Sequence, residues 1–158
     1  MTKIYKEDLS DKTLLLSDDK VFYTVEGEGE YVGYPSVFMR LSMCNLTCQG
    51  FASEDSPHGC DSYISWSVKN RITNADLLQH LEQEGFEKHL YNGAIWKITG
   101  GEPLVQQPAL LRFLEYMDVE WGWIPRIDFE TNATIMPDKE WVRVGATFTT
   151  SPKLSNNG

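Results

Sequence analysis

Three cysteines, Cys44, Cys48 and Cys60, fall within seventeen residues of the stretch RLSMCNLTCQGFASEDSPHGCDS. Three residues separate the first two, and eleven separate the second from the third. Thiolates are soft donors that select transition metals and iron–sulfur clusters. The chain has no fourth cysteine. A metal centre held by these three keeps one coordination position open, as a site must whose ligand binds the metal directly; structural sites usually close with four ligands. Other readings stand beside this one. Zinc can be held by the three cysteines and His58, and a disulfide with one free thiol also fits the count. Cysteine is, besides, a common small buried residue, although clustering beside Gly and Asn argues against simple core packing.

The elements that must present this loop can be read from periodicity. A short strand is expected around Thr13–Leu16. Val21, Tyr23 and Val25 alternate, then comes Glu26-Gly27-Glu28-Gly29, and Val37, Met39 and Leu41 alternate again. These two alternating segments read as neighbouring strands joined by a loop through Gly33-Tyr34-Pro35. The glycines of GEGE fit a turn, or backbone that approaches a flat ligand closely. Arg40 leads into the cysteine loop as a solvated strand residue or as a fork for a carboxylate. Thr73-Asn74-Ala75-Asp76 offers a helix cap, and Leu77, Leu78, Leu81, Phe86 and Leu90 form a face that continues past Gly85. Ala94–Ile98 reads as a buried strand ending in TGGEP. Pro108 fits the first turn of a second helix, with Leu110, Leu111, Leu114 and Met117 as its apolar face. Ile127–Glu130 is a third strand candidate, and a fourth lies around Phe148, before Ser151-Pro152-Lys153.

Strands alternating with helices predict an α/β domain with a mostly parallel sheet. Ligands of such sheets sit outside the carboxyl ends of the strands. The cysteine loop, TGGEP, Glu130-Thr131-Asn132 and the final SPK each follow a strand candidate, so four polar or glycine-rich segments converge on one rim. The length of 158 residues suits one domain. A net charge of -9 disfavours a nonspecific grip on nucleic acid. No apolar run is long enough to cross a bilayer, and the N-terminal MTKIYKEDLSDK has no apolar signal core. The expected location is the cytoplasm, where thiols stay reduced.

With these motifs located, FYTVEGEGEYVGYPSVFMRLSMCNLTC, GCDS, ITGGEP, FETN and SPKLSNNG resemble the radical S-adenosylmethionine superfamily, and within it the 7-carboxy-7-deazaguanine synthases. The matching stretches run from Phe22 to Gly158. The resemblance implies a shortened partial (β/α) barrel and one radical S-adenosylmethionine domain over residues 1–158. That domain stops inside SPKLSNNG, where these enzymes usually continue. It implies a [4Fe-4S] cluster on Cys44, Cys48 and Cys60, whose fourth iron binds the amino and carboxylate groups of S-adenosylmethionine. Reductive cleavage then gives a 5′-deoxyadenosyl radical that abstracts hydrogen from 6-carboxy-5,6,7,8-tetrahydropterin. Ring contraction with loss of ammonia yields 7-carboxy-7-deazaguanine.

The resemblance also assigns residues. Val25, Glu26 and Gly27 fall on the substrate-contacting stretch, Arg40 on the partner of the substrate carboxylate, and Thr99 on a further substrate contact. Gly100, Gly101 and Glu102, with Ser151, Pro152 and Lys153, fall on segments that face S-adenosylmethionine. Ser62 takes the place of a Mg2+ ligand. An electron donor such as flavodoxin or ferredoxin and a homodimer are implied, with no direct nucleic-acid or membrane partner. Two local departures stand out. The usual spacing before the third cysteine is two residues rather than eleven, and Glu26 stands where glutamine is commoner. The alternatives are another radical S-adenosylmethionine enzyme, such as a glycyl-radical activase, or a zinc-stabilised binding protein without enzymatic activity.

Overall fold

The structure is a computed structural model that describes residues 12–49, 59–60 and 62–153. The readings placed on residues 1–11, on His58 and on residues 154–158 lie outside the described residues. Among the described residues six strands form one sheet in the order β3-β1-β2-β4-β5-β6. They are β1 (Thr13–Val25), β2 (Pro35–Leu41), β3 (Asn70–Thr73), β4 (Ile95–Gly100), β5 (Ile127–Thr131) and β6 (Thr147–Thr150). β1 runs antiparallel to β2 and β3, whereas β2, β4, β5 and β6 are parallel to one another. The expected α/β class and mostly parallel sheet are therefore present.

The two segments expected at Thr13–Leu16 and Val21–Val25 belong to one thirteen-residue strand. Its first part pairs with β3, and a register shift between Leu16 and Val21 interrupts its pairing with β2. The polar Ser17-Asp18-Asp19-Lys20 run lies in this break, so alternation alone divides what an irregularity joins. β3 itself was not foreseen, since Asn70-Arg71-Ile72-Thr73 offers one apolar residue.

Five α-helices accompany the sheet among the described residues: α1 (Tyr63–Ser67), α2 (Asn74–Gln83), α3 (Phe86–Tyr91), α4 (Gln107–Trp121) and α5 (Lys139–Arg143). Thr73 caps α2 as the sequence predicts, its hydroxyl accepting from the Asp76 amide at 3.1 Å. The leucine face does not continue as one helix. Gly85 adopts φ +77 and separates α2 from α3, a left-handed turn that ends the helical hydrogen-bond ladder. Pro108 does sit in the first turn of α4.

Alternation gives the sheet two unlike faces. One carries Val37, Met39, Leu41, Trp96, Ile98, Ile127 and Phe129, buried against Leu77 and Leu81 of α2 and Leu110, Phe113 and Met117 of α4. Each such side chain stabilises the fold by about 1.5–3 kcal/mol. The other face carries Arg40, Lys97, Thr99, Asp128, Glu130, Thr147 and Thr149. It is not simply open to water: Lys97 is 0% exposed and Asp128 1%.

The cover over this polar face is the loop between β1 and β2. Its base is closed by the Glu26 amide donating to the Tyr34 carbonyl at 2.8 Å and the Gly33 amide donating to the Glu26 carbonyl at 2.9 Å. Its tip lies against β6. Gly29, at φ +72, comes so near that an added Cβ would stand 2.2 Å from Thr149 Oγ1. From β2 to β6 is three strand steps, roughly 14 Å at the usual inter-strand spacing. Residues 26–34 thus form a strap across the parallel half of the sheet.

Candidate active site

The carboxyl ends of the parallel strands open into a cavity of about 330 Å³. Cys44, Cys48 and Cys60 line it, together with Ser62 and Trp66. Thr99, Gly100 and Gly101 enter from the end of β4; Glu130, Thr131 and Asn132 from the end of β5. Ser151 and Lys153 enter after β6, and Glu28 from the strap. All four segments expected on one rim therefore meet in one cavity.

The cysteine loop is built by backbone contacts. Met43 holds φ 75, an uncommon conformation for a residue with a side chain. Its amide donates to the Trp66 carbonyl at 2.8 Å, and its carbonyl accepts from the Glu102 amide at 2.9 Å. Gly101 passes directly over this bend. A Cβ there would lie 2.2 Å from the Met43 carbonyl oxygen and 2.9 Å from Cys44 Cβ. The second glycine of TGGEP is thus required for close approach to the cysteine loop, besides lining the cavity. Gly101→Ala is expected to cost about 1–3 kcal/mol by overpacking, measured by denaturant unfolding of the purified chain.

No disulfide joins Cys44, Cys48 and Cys60. Cys60 Sγ accepts from Trp66 Nε1 at 3.4 Å, and Asn132 Nδ2 reaches Cys44 Sγ at 3.9 Å. Burial pushes the Cys44 thiol up, and the charge of Glu102 adds to this, against a backbone hydrogen bond from Leu46. Cys44 is buried while Cys48 and Cys60 are partly exposed. Alkylation of the metal-free protein is therefore expected to reach Cys44 last. Its rate should climb with pH through values above the ordinary thiol range, since only the thiolate reacts. Peptide mass mapping across a pH series reads this directly.

Several assigned residues lie around the cavity rather than on its wall. Glu102 is 0% exposed. Its carboxylate accepts from Thr131 Oγ1 at 2.9 Å, the Asn132 amide at 2.7 Å and the Leu104 amide at 3.0 Å. It ties the β4 loop to the β5 end. Arg40 stands beside Thr99 in the β2–β4 register, with its guanidinium carbon 5.4 Å from the Phe22 ring centroid. Val25 is exposed at the end of β1, Gly27 is exposed in the strap, and Pro152 is exposed after β6. Glu26 is buried beneath the strap instead of projecting into the cavity.

The principal feature that sequence reasoning missed is Lys97. Its ammonium lies 2.6 Å from Asp128 Oδ2, 3.0 Å from Glu26 Oε2 and 3.4 Å from Glu130 Oε1. Burial alone would lower its pKa, but hydrogen bonds to Asp128 and Glu26 and the fields of Asp128 and Glu130 outweigh this and raise it. Glu130 also accepts from the Thr99 hydroxyl. Burial pushes Glu130 up, helped by the charges of Glu28 and Glu26, and prevails over Thr99 and Lys97, which pull it down. One signal was available: Lys97 stands between Trp96 and Ile98, and Asp128 between Ile127 and Phe129. Asn45 and Trp66 carried no comparable signal. Asn45 Oδ1 accepts from Asn132 Nδ2 at 3.0 Å and so links the cysteine loop to the β5 end.

Among the described residues, no three His, Cys, Asp or Glu side chains close around a single metal-ion position. The three cysteines share one cavity wall. No helix among the described residues is long and apolar enough to cross a membrane.

The α/β fold is also that of a solved protein. The chain superposes on QueE from Escherichia coli with a TM-score of 0.63 at 22% identity, covering 92% of this chain and 63% of that one. The two share a fold. No protein-family model matches.

Among curated sequences the chain is similar to 7-carboxy-7-deazaguanine synthases. That of Thermoplasma acidophilum is 32% identical over 116 residues, 73% of this chain and 46% of the relative. That of Aquifex aeolicus is 31% identical over 142 residues, 88% and 55% of the two. The Rhodopirellula baltica protein reaches 40% over 98 residues, 61% and 31%. The resemblance read from the motifs is thus borne out, and the chain spans about half the length of the first two of these relatives.

Proposed function

We propose that this chain is a radical S-adenosylmethionine enzyme that converts 6-carboxy-5,6,7,8-tetrahydropterin to 7-carboxy-7-deazaguanine with loss of ammonia. The observation that carries the reading is the meeting of three cysteines, none in a disulfide, with the β4, β5 and β6 ends in one cavity. In this reading the sheet is a shortened partial (β/α) barrel whose polar inner face bears the substrate contacts.

Cys44, Cys48 and Cys60 would hold a [4Fe-4S] cluster. The donor set fits, because three thiols leave one metal position for S-adenosylmethionine, and N–H groups of Trp66 and Asn132 already point at two of the sulfurs. When bound, the cluster and S-adenosylmethionine supply the electron and the hydrogen-abstracting radical. The chain's own residues do the rest. Gly100 and Gly101 let the end of β4 pack directly on the Leu41 backbone and on the cysteine loop, which shapes the wall beside the cofactor. Ser151 and Lys153 offer a hydroxyl and a positive charge for the S-adenosylmethionine side, with Pro152 between them; Glu102 supports that wall from behind. Arg40 supplies a fork for the pterin carboxylate, Thr99 a hydroxyl already ordered by Glu130, and the backbone of Val25 and Gly27 further polar groups. The Ser62 oxygen is an acceptable hard ligand for Mg2+. The strap limits water over the polar face.

The same reading implies a cytoplasmic enzyme that draws electrons from a flavodoxin or ferredoxin, acts on no nucleic acid directly and forms a homodimer. The test is anaerobic reconstitution with iron and sulfide, followed by reduction with S-adenosylmethionine present. Iron–sulfur absorption and release of methionine are expected. Stoichiometric zinc with neither would contradict the class.

A further inference from the structure

We infer that Lys97 is a positioning residue for the strap, acting through Glu26 to set the substrate-facing edge of the cavity. The inference deepens the proposed pterin reading, and one arm of its test rests on that reading.

Glu26 is 2% exposed. Its Oε1 accepts from the amides of Gly27 at 2.9 Å and Glu28 at 3.0 Å. Its Oε2 meets Lys97 Nζ at 3.0 Å. The carboxylate is therefore spent on the strap's own backbone and on the sheet beneath, and none of it projects into the cavity. Glutamine is commoner at this place in the resembled enzymes, and it can donate as well as accept hydrogen bonds. A glutamate presented to the substrate would change the recognition code. A glutamate turned inward onto a buried lysine does not. It anchors the strap, and the Glu28 side chain then lines the cavity beside Thr99 and Glu130. Lys97 is itself fixed by Asp128 at 2.6 Å, with Thr149 of β6 at 3.4 Å. The near end of the strap is thus held by charge, and its tip by the close packing of Gly29 on Thr149. The pterin at this edge would be read by strap backbone and by Glu28, with Glu26 and Lys97 acting through position alone.

The experiment compares the parent with Glu26→Gln. The replacement is isosteric and removes a buried negative charge, so the chain is expected to fold. Glutamine can still accept from the Gly27 and Glu28 amides but loses the ion pair. Amide exchange at Gly27 and Glu28 in the metal-free protein is expected to quicken by about tenfold or more, the scale of one charge-assisted hydrogen bond. Exchange at Ile98 and Phe129 should not change. With reconstituted protein and 6-carboxy-5,6,7,8-tetrahydropterin, KM is expected to rise by about tenfold while kcat stays within about twofold, as when binding is lost uniformly. Unchanged exchange at Gly27 and Glu28 would overturn the inference, as would equal acceleration at Ile98 and Phe129. An unchanged KM would overturn it too. A parent that exchanges as described but never turns over the pterin would sink the proposed function and leave the strap assignment to the exchange data.

Discussion

Lys97→Met is expected to destabilise the folded chain by about 3–5 kcal/mol, the usual cost of removing one partner from a buried ion pair. Against a total stability of about 5–15 kcal/mol, the variant should sit at the edge of folding at neutral pH. Methionine matches the length and fills the space, so the loss is electrostatic rather than a cavity effect. It leaves Glu26, Asp128 and Glu130 facing one another around the vacated charge, two of them almost wholly buried. Glu130 is already raised by burial, and removing Lys97 takes away a charge that pulls it down, so the folded variant should bind more protons than the unfolded chain. Its stability should be greatest at acidic pH and fall as pH rises through the raised Glu130 value. In the parent, Lys97 has a raised pKa and works in a different window. Its contribution is complete below the ordinary lysine range and is lost only as pH climbs through the higher folded value. Urea unfolding of both proteins between pH 5 and pH 9 reads the difference. Adding Asp128→Asn and Glu26→Gln to Lys97→Met should restore most of the loss. A Lys97→Met protein as stable as the parent at neutral pH would refute the account of this cluster.

Cys44→Ser, Cys48→Ser and Cys60→Ser are each expected to abolish stable cluster binding and all reductive cleavage of S-adenosylmethionine. Serine offers a hydroxyl that stays protonated where a thiolate is needed, and it is a hard rather than a soft donor. Folding is expected to survive in Cys48→Ser and Cys60→Ser, because both positions are partly exposed. Iron and acid-labile sulfide per chain, with visible absorption after anaerobic reconstitution, give the readout. Cys60 is the most informative of the three, because eleven residues separate it from Cys48. The structure nevertheless brings Cys60 to the same cavity and places Trp66 Nε1 on its sulfur. A full cluster with normal cleavage in any one variant would contradict that cysteine's assignment.

The parallel half of the sheet was legible because each strand alternates cleanly or forms a short apolar run, and each ends in a recognisable polar segment. Those strand ends alone place Cys44, Thr99, Gly101 and Ser151 on one rim. The antiparallel edge was less legible: the polar interruption of β1 and the single apolar residue of β3 carry weak periodicity. Glu26 shows a different limit. The resemblance places it on the substrate-contacting stretch, but burial is set by what covers a loop, and nothing local announces that Gly29 will pack on Thr149. Lys97 and Asp128 looked like isolated charges within strands. They acquire meaning only when neighbouring strands align them on one face, a pairing that depends on strand order. Glu102 likewise reads as a cavity residue beside two glycines, yet its carboxylate is consumed by Thr131 and Asn132.

The most direct measurement is anaerobic turnover of reconstituted protein with S-adenosylmethionine, a reductant and 6-carboxy-5,6,7,8-tetrahydropterin, followed by mass spectrometry. 7-Carboxy-7-deazaguanine and ammonia are expected to appear together with cleavage of S-adenosylmethionine. Cleavage with the pterin left intact would contradict the assigned reaction, and a protein that binds no iron and cleaves nothing would contradict the radical class itself.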